Sequence, residues 1–356
     1  MRLGIIGLPQ SGKTTIFNAL TRGDRPVITS GGRIEVHTGV VNVPDTRLDC
    51  LSAIFQPKKT THAKVTYADI TGLEGDSGKG GISGPLLNQL SQMDGFVHVV
   101  RCFENASVPH PVGSLDARRD LLALHGEMIL NDLISVERKL ERLEQERRRG
   151  GGRDKAQVEI EISHFEKLSE TLAVDQPLRT LDLTPQEEKT FSGFGFLTRK
   201  PMLVLFNLSD GQTQPCIEYP ASRCDVVALQ GKLEMELAQL PPQEVEMFMA
   251  EYGIAELGLE RVIDESYCLL GLHSFFTVGE DEVRAWTVRQ GANAYEAAGA
   301  IHSDLQKGFI RAEVASYQDL VELGGLAEAR AKGKLRLEGK DYIVKDGDIV
   351  HIRFNL

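Results

Sequence analysis

"RLGIIGLPQSGKTTIFNALTR", residues 2–22, decides the class of fold. A short apolar run comes first, a glycine-containing loop follows, and the last part has apolar residues at helical spacing. A strand, a loop and a helix in this order open an α/β fold. The loop "GLPQSGKT" (7–14) also matches G-x-x-x-x-G-K-[ST], a pattern whose backbone N–H groups surround phosphate oxygens. We therefore expect an α/β domain that begins with a phosphate-binding loop.

The residue types within this loop indicate separate tasks. Lys13 is expected to reach the β- and γ-phosphates, and the hydroxyl of Thr14 to ligate Mg²⁺. The positive end of the following helix dipole adds to the attraction for phosphate. The predicted nucleotide contacts of the loop are Pro9, Gln10, Ser11, Gly12, Lys13, Thr14 and Thr15.

A second motif, "ADITGL" (68–73), ends another predicted strand in Asp-x-x-Gly. Asp69 is expected to hold Mg²⁺ through water and the N–H of Gly72 to sense the γ-phosphate, so Lys13 and Gly72 are the predicted catalytic residues. Leu73 stands where Ras-type enzymes carry the glutamine that orients the attacking water. A backbone group, a switch residue or a partner must then position the water, and we expect slow intrinsic turnover.

The run "LVLFNLSDGQ" (203–212) predicts a base-reading loop at the end of a later strand. The carboxylate of Asp210, three residues after Asn207, can accept hydrogen bonds from guanine N1–H and N2–H, whereas adenine N1 is itself an acceptor. Leu208 replaces the lysine that normally flanks guanine. On these residues alone, both ATP and GTP stay open.

Composition sets the wider limits. The 356 residues suffice for two or three domains, and 41% hydrophobic with 26% charged residues is ordinary for a soluble protein. The net charge of -11 argues against indiscriminate nucleic-acid binding, and five widely spaced cysteines without a C-x-x-C pair fit a reducing compartment. With neither a leader pattern nor a bilayer-length apolar run, we expect a cytoplasmic protein without membrane contact.

Further predicted strands are separated by helical stretches, which indicates a mostly parallel sheet. The strand candidates are 2–6, 64–70, 95–103, 201–207 and 224–229. Between the third and fourth of these, residues 116–149 and 156–173 carry apolar residues at helical spacing, among them Leu122 and Ile160, which predicts an inserted antiparallel coiled coil. The charges at its tip predict either a solvated helix end or an RNA contact. They belong to Arg147, Arg148, Arg149 and Arg153.

The last part of the chain predicts a small α+β domain. "KDYIVKDGDIVHIRFNL" (340–356) has the alternation of two strands around a turn, and "AYEAAGAIHSDLQKG" (294–308) predicts a preceding helix. The predicted domains are a P-loop domain at 1–114 and 196–272, a helical insertion at 115–195, and an α+β domain at 273–356.

With these features in this order, the chain resembles the YchF subfamily of Obg-like P-loop NTPases. The stretches 275–314 and 335–356 are closely similar to that subfamily's C-terminal TGS domain, and 43–51 and 98–105 fit as well. The resemblance implies a cytosolic Mg²⁺-dependent NTPase that prefers ATP to GTP and has a ubiquitin-like β-grasp domain at its end. It also implies a monomer that binds the ribosome, at the large subunit, with rRNA contacts through the coiled-coil tip and the TGS domain.

Several positions depart from the subfamily pattern. Gln10 replaces a P-loop asparagine, and the pair Gln230-Gly231 replaces Ser/Cys-Ala beside the base, where both are predicted nucleotide contacts. In switch I, Gly32 replaces a cysteine, which weakens any thiol-based regulation, and Arg33 replaces the Mg²⁺-contacting threonine. Thr29 or Thr38 could take over that contact, or Arg33 could itself contact phosphate.

Four functional hypotheses follow. The first is an ATP-hydrolysing ribosome-associated factor in translation or stress response; the second is a nucleotide-binding switch with little or no hydrolysis. A GTP-preferring GTPase is the third. A metabolic kinase fits least, because the sequence lacks a lid-like arginine cluster.

Overall fold

The computed structural model describes residues 1–24, 35–71, 82–149, 153–215, 217, 219, 223–252 and 257–355. Its strands are β1 (Arg2–Ile6), β2 (Val36–Asn42), β3 (Lys59–Thr61), β4 (Lys64–Ile70), β5 (Gly95–Arg101), β6 (Met202–Asn207), β7 (Cys224–Leu229), β8 (Leu272–Thr277), β9 (Glu282–Arg289), β10 (Phe309–Ser316), β11 (Arg336–Glu338) and β12 (Asp348–Phe354). Its helices are α1 (Lys13–Thr21), α2 (Thr46–Phe55), α3 (Gly84–Ser91), α4 (Ala117–Arg149), α5 (Lys155–Ala173), α6 (Pro185–Phe191), α7 (Gly231–Ala238), α8 (Pro242–Tyr252), α9 (Gly258–Leu269), α10 (Ala294–Ile301), α11 (Ser303–Lys307), α12 (Tyr317–Leu323) and α13 (Leu326–Ala331).

The first sheet has the strand order β2-β4-β1-β5-β6-β7. Every pairing from β4 through β1, β5 and β6 to β7 is parallel, which confirms the predicted α/β fold. Strands β5 and β6 are buried along their whole length, as expected of apolar runs covered on both faces. Because parallel strands end at the same edge, the loops after β1, β4, β5, β6 and β7 meet there.

The helical insertion consists of α4 and α5, which share one apolar core. The ion pairs Lys139–Glu161 and Arg153–Glu146 cross between the two helix ends in the order expected of an antiparallel pair. Two predicted seam positions are wrong, because Leu122 is 43% and Ile160 57% exposed.

The inward face of α4 includes Leu121 and Leu124 instead, and these pack into the core of the first sheet together with Phe96. Asp132 anchors the middle of α4 to the segment before β6. Its carboxylate accepts hydrogen bonds from the backbone N–H groups of Leu197 (3.0 Å) and Thr198 (2.7 Å) and from the Thr198 hydroxyl (2.7 Å).

The second sheet has the order β11-β10-β12-β8-β9-β3. Strands β8 and β9 form an antiparallel hairpin, β12 pairs parallel with β8 and antiparallel with β10, and α10 packs against the sheet. A hairpin, a crossing helix and a central pairing of the first strand with the last make a β-grasp, as predicted.

Two local predictions in this region are wrong. Of residues 340–345, Ile343 makes an isolated bridge to Asn293, and no strand forms among them, so β12 finds its antiparallel partner in β10 rather than in a hairpin. The predicted helix 294–308 divides at His302, whose backbone is extended (φ -163°) and whose ring Nδ1 accepts the N–H of Asp304 (3.1 Å). A side chain that caps a new helix start explains the break.

The chain forms two compact units. One contains Met1–Gly39 and Thr66–Leu259, and the other contains Val40–Val65 and Glu260–Leu356. Within the second unit, β3 pairs parallel with β9, and Arg47 on α2 bonds to Asp346 at 2.8 and 3.1 Å. The predicted domain boundaries stay a prediction. Within the described ranges, no helix has the length and apolarity that a bilayer crossing requires.

Candidate functional site

The phosphate-binding loop follows β1 and leads directly into α1. Gly12 has φ 96°, and a Cβ there would lie 2.2 Å from the amide nitrogen of Asn207, so the position tolerates glycine alone. Gly7 is equally confined, since its Cβ would lie 2.4 Å from the carbonyl oxygen of Val99. Gln10 adopts the left-handed conformation (φ 61°) without being glycine, a strain typical of functional loops. No side chain caps the start of α1, so its first turn faces the cavity as an anion site.

Lys13 and Thr14 begin α1 at this loop. The ammonium of Lys13 donates to the carbonyls of Gly7 (3.0 Å) and Leu8 (2.9 Å), which holds the cation across the loop. The hydroxyl of Thr14 donates to a carboxylate oxygen of Asp69 at 3.0 Å. Two residues 55 positions apart thus meet, because the end of β4 lies beside the start of α1.

A hydroxyl and a carboxylate side by side are the hard oxygen donors that Mg²⁺ prefers. Mg²⁺ keeps several waters and takes further oxygens from phosphates, so two protein groups suffice at such a site. Within the described residues there is no cluster of three or more His, Cys, Asp or Glu that could hold a metal ion. The residues present therefore fit the predicted ion.

Asn207, at the end of β6, joins two loops of the site. Its amide nitrogen donates to the carbonyl of Ser11 (3.0 Å), and its amide oxygen accepts the N–H of Gly231 (3.0 Å). A Cβ on Gly231 would lie 2.6 Å from Ile16 and 2.7 Å from Asn207, which explains glycine there. Ser11 and Gly231 thus support the site through their backbones.

These loops enclose a cavity of about 710 Å³, a size usual for small-molecule sites. It is lined by Gln10, Gly12, Lys13, Thr14, Thr15, Thr71, Phe103, Glu104, Asn105, Ser107, Val108, Pro109, Asn207, Leu208, Ser209, Asp210, Gln230, Lys232 and Met235. Of the predicted nucleotide contacts, Pro9, Ser11 and Gly231 border the cavity without lining it. Asp69 is fully buried behind Thr14.

The far end of the cavity carries the predicted base-reading residues. Leu208 is buried and offers an apolar surface, whereas Asp210 is exposed and its carboxylate has no hydrogen-bond partner within the described part of the chain. Gln230 directly precedes α7, makes no side-chain cap hydrogen bond there, and lines the cavity. Lys232 and Met235, on the first turns of α7, were not predicted.

The loop after β5 contributes a wall of the cavity that was not predicted from the sequence. Phe103, Val108 and Pro109 are its apolar members, and Thr71, directly after β4, lines the opposite end. One signal was available: this loop follows the carboxyl end of a buried parallel strand, where ligands of α/β sheets bind. Sequence spacing alone could not show that a loop of 103–109 turns back over the cavity.

Other predicted residues fall elsewhere. Gly72, Leu73, Thr29, Gly32 and Arg33 lie outside the described residues. Thr38 lies exposed in β2 and does not line the cavity. The backbone carbonyl of Glu35 accepts the N–H of Thr71 at 3.1 Å, so the residue before β2 lies beside the residue after β4.

The fold and this cavity define a P-loop nucleotide-binding protein in which a helical hairpin interrupts the nucleotide domain and a β-grasp domain follows. Residues 2–136 match the family model MMR_HSR1, described as "50S ribosome-binding GTPase", and residues 272–355 match YchF-GTPase_C, described as "Protein of unknown function". The chain belongs to the YchF family, as the full-length relatives show.

Two of those relatives carry the name "Ribosome-binding ATPase YchF". The protein of Bacillus subtilis is 39% identical over 99% of both chains, and that of Haemophilus influenzae is 41% identical over 100% of this chain and 99% of its own. The solved structure of the Schizosaccharomyces pombe YchF GTPase is 31% identical, with a TM-score of 0.88 over 99% of this chain and 97% of that one.

Proposed function

We propose that this protein binds a Mg²⁺–nucleoside triphosphate in the cavity and hydrolyses ATP slowly to ADP and phosphate. The observation that carries the proposal is the Thr14–Asp69 pair at the start of an uncapped helix, beside Lys13 and a glycine-rich loop. The names of full-length relatives support ATP as substrate.

Residues at the phosphate end of the cavity have separate proposed roles. Lys13 exchanges its two carbonyl acceptors for phosphate oxygens, and the first-turn N–H groups of α1 hold the phosphates. Thr14 and Asp69 would hold Mg²⁺, which when bound neutralises charge on the triphosphate. Gly72 is the proposed γ-phosphate sensor.

The proposed base site lies between Leu208, Gln230 and the loop after β5. The apolar surface of Leu208 and the amide of Gln230 suit adenine. The amide oxygen can accept from adenine N6–H, and the amide N–H can donate to N7. Asp210 is the residue that keeps guanine recognition possible, since its exposed carboxylate can accept from N1–H and N2–H.

We further propose a monomer that acts in the cytoplasm on the ribosome, at the large subunit. The relatives' names support the ribosome as partner. At the coiled-coil tip, Arg147, Arg148 and Arg153 each pair with glutamates of α4 or α5. An rRNA contact there requires these exposed pairs to open, which costs little because such pairs are weak.

Calorimetric titration with Mg-ATP and Mg-GTP tests the nucleotide assignment. We expect tighter Mg-ATP binding, abolished by Lys13→Ala and retained by the exposed-surface control Lys59→Ala. Asp210→Ala should lower GTP affinity more than ATP affinity. Clearly tighter GTP binding by the wild type would overturn the ATP assignment.

Phosphate release with and without ribosomal subunits tests the enzyme assignment. The second candidate, a switch that scarcely hydrolyses, is favoured by Leu73 and Arg33 in the sequence. Intact Mg-ATP binding without phosphate release under either condition would select the switch.

A further inference from the structure

Arg101 is the last residue of β5 and is only 4% exposed. Its guanidinium donates from Nε to the carbonyl of Phe103 (3.1 Å) and from Nη2 to the carbonyl of Val108 (2.7 Å). A third, long contact reaches the carbonyl of Gln10 in the phosphate-binding loop (3.5 Å). The same guanidinium lies over the ring of Phe103, 4.6 Å from its centre.

The segment that Arg101 holds is a wall of the cavity. Residues 102–109 form neither helix nor strand, so the backbone bonds of the guanidinium take the place of a regular hydrogen-bond ladder. The two carbonyls lie at opposite ends of this segment, and Phe103, Val108 and Pro109 present its apolar surface to the cavity. The side chain of Arg101 therefore links the two ends of this loop, and its guanidinium packs against the ring of Phe103.

We assign the wall to the nucleoside end, because it lines the cavity together with Leu208 and Asp210 of the predicted base-reading loop. A ring carbon of Phe103 lies 3.8 Å from the Cβ position of Gly12, beside the amide of Asn207, with which that predicted loop begins. Lys13 and Thr14 occupy the phosphate end. An aromatic face with adjacent aliphatic groups suits a purine or ribose and offers nothing to phosphate oxygens.

We propose that Arg101 is a positioning residue that builds the nucleoside-side wall of the cavity and so sets affinity for the base and ribose, not for the triphosphate. The inference rests on the proposed nucleotide-binding function. Arginine suits the task because its planar fork serves two divergent carbonyls at once, whereas the single ammonium of a lysine cannot reach both with the same geometry.

The test compares Mg-ATP with Mg-tripolyphosphate, which lacks base and ribose. We expect Arg101→Gln to weaken Mg-ATP binding roughly tenfold or more, a loss of about 1.4 kcal/mol, while tripolyphosphate affinity changes less than about twofold. Arg101→Lys should fall between the wild type and Arg101→Gln. Arg179→Lys is the matched control, since Arg179 is a buried arginine that bonds a backbone carbonyl outside the cavity.

Hydrogen exchange supplies a readout that needs no nucleotide. Arg101→Gln and Arg101→Lys should speed amide exchange within 102–109 and leave β5 and β6 protected. Equal losses for both ligands, or exchange that rises throughout the first unit, would mean a general structural role and overturn the proposal, as would unchanged ATP affinity. If the wild type binds tripolyphosphate but not Mg-ATP, the proposed function fails, and the exchange result still decides whether Arg101 holds the wall.

Discussion

A single amide, that of Asn207, connects the phosphate-binding loop to the loop before α7. It satisfies one buried carbonyl and one buried N–H. Asn207→Ala leaves both groups without this partner at about 1–3 kcal/mol each, so we expect a lower unfolding free energy and weaker Mg-ATP binding. Asn207→Asp keeps the acceptor for Gly231 but sets a carboxylate against the carbonyl of Ser11. Urea unfolding and calorimetry measure both effects, and an unaltered stability of Asn207→Ala would contradict the linking role.

The Thr14–Asp69 pair gives a prediction about metal. Thr14→Val keeps the shape of the side chain but removes the hydroxyl, so on the proposed function ATP hydrolysis should fall at least tenfold, or about 1.4 kcal/mol of transition-state stabilisation. Thr14→Ser keeps the hydroxyl and is the matched control. Steady-state phosphate release over a Mg²⁺ titration separates them; equal activity of Thr14→Val and Thr14→Ser would remove Thr14 from the metal site.

His98 in β5 makes stability depend on pH. It is 1% exposed, and burial, assisted by the positive charges of His125 and Lys13, lowers its pKa to about 3. The unfolded chain therefore takes up this proton first, and stability falls as pH drops from about 6.5 toward 3, by up to about 1.4 kcal/mol per pH unit. His98→Leu should flatten the profile between pH 5 and 6.5, where carboxylates contribute least. Parallel unfolding profiles of the two proteins across that range would refute the assignment.

The sequence predicts residues that the structure brings together at the phosphate end, because the motif there depends on one residue type at one spacing; their roles stay a prediction. Lys13, Thr14 and Asp69 lie where the motifs placed them. The supporting roles of Arg101 and Asn207 follow from side chains that meet backbone groups of other loops. Such contacts depend on loop path, which leaves no pattern in the sequence.

At the scale of elements, the buried strands were the most predictable. Strands β4 and β7 have the predicted bounds. The pattern at 340–345 alternates as a strand does, yet the partner strand pairs elsewhere, a competition that only the tertiary structure decides. Helix α4 buries apolar residues against the first sheet as well as against α5. Its buried positions therefore depart from heptad spacing, and Leu122 is exposed.

Asp132 gives the prediction at this scale, since it ties the helical insertion to β6. Burial raises the pKa of its carboxyl, opposed by the hydrogen bonds from Thr198 and Leu197. Asp132→Ala leaves two buried N–H groups without this acceptor, and we expect a loss of about 2–4 kcal/mol in unfolding free energy. Asp132→Asn keeps one acceptor oxygen and should lose less. Urea midpoints give the comparison, and equal midpoints for all three proteins would show that the anchor contributes nothing.

At the scale of the whole molecule, the second unit is built from two distant parts of the chain. Arg47 joins them through Asp346, is held in place by Asp45, and lies over the ring of Phe276 at 5.3 Å. Hydrogen bonds to these carboxylates raise the pKa of its guanidinium further. A double-mutant cycle of Arg47→Ala and Asp346→Ala should give a coupling energy of about 1 kcal/mol or more, because the pair is bidentate and partly buried. Additive effects in thermal unfolding would exclude the link.

The same split has a consequence for how the protein is made. The hydrogen-bonded residues Arg47 and Asp346 are 299 positions apart, and Thr61 and Glu282 are 221 positions apart. Since a chain leaves the ribosome from its N-terminus at a few residues per second, segment 40–65 emerges long before the strand it pairs with. Its completion is therefore a late step of biosynthesis, tied to the synthesis of β9 and of Asp346. Nascent chains stalled before residue 282 should be cut by protease within 40–65, and released full-length chains should resist, so that a strand made much later sets the moment at which one of the first helices becomes stable.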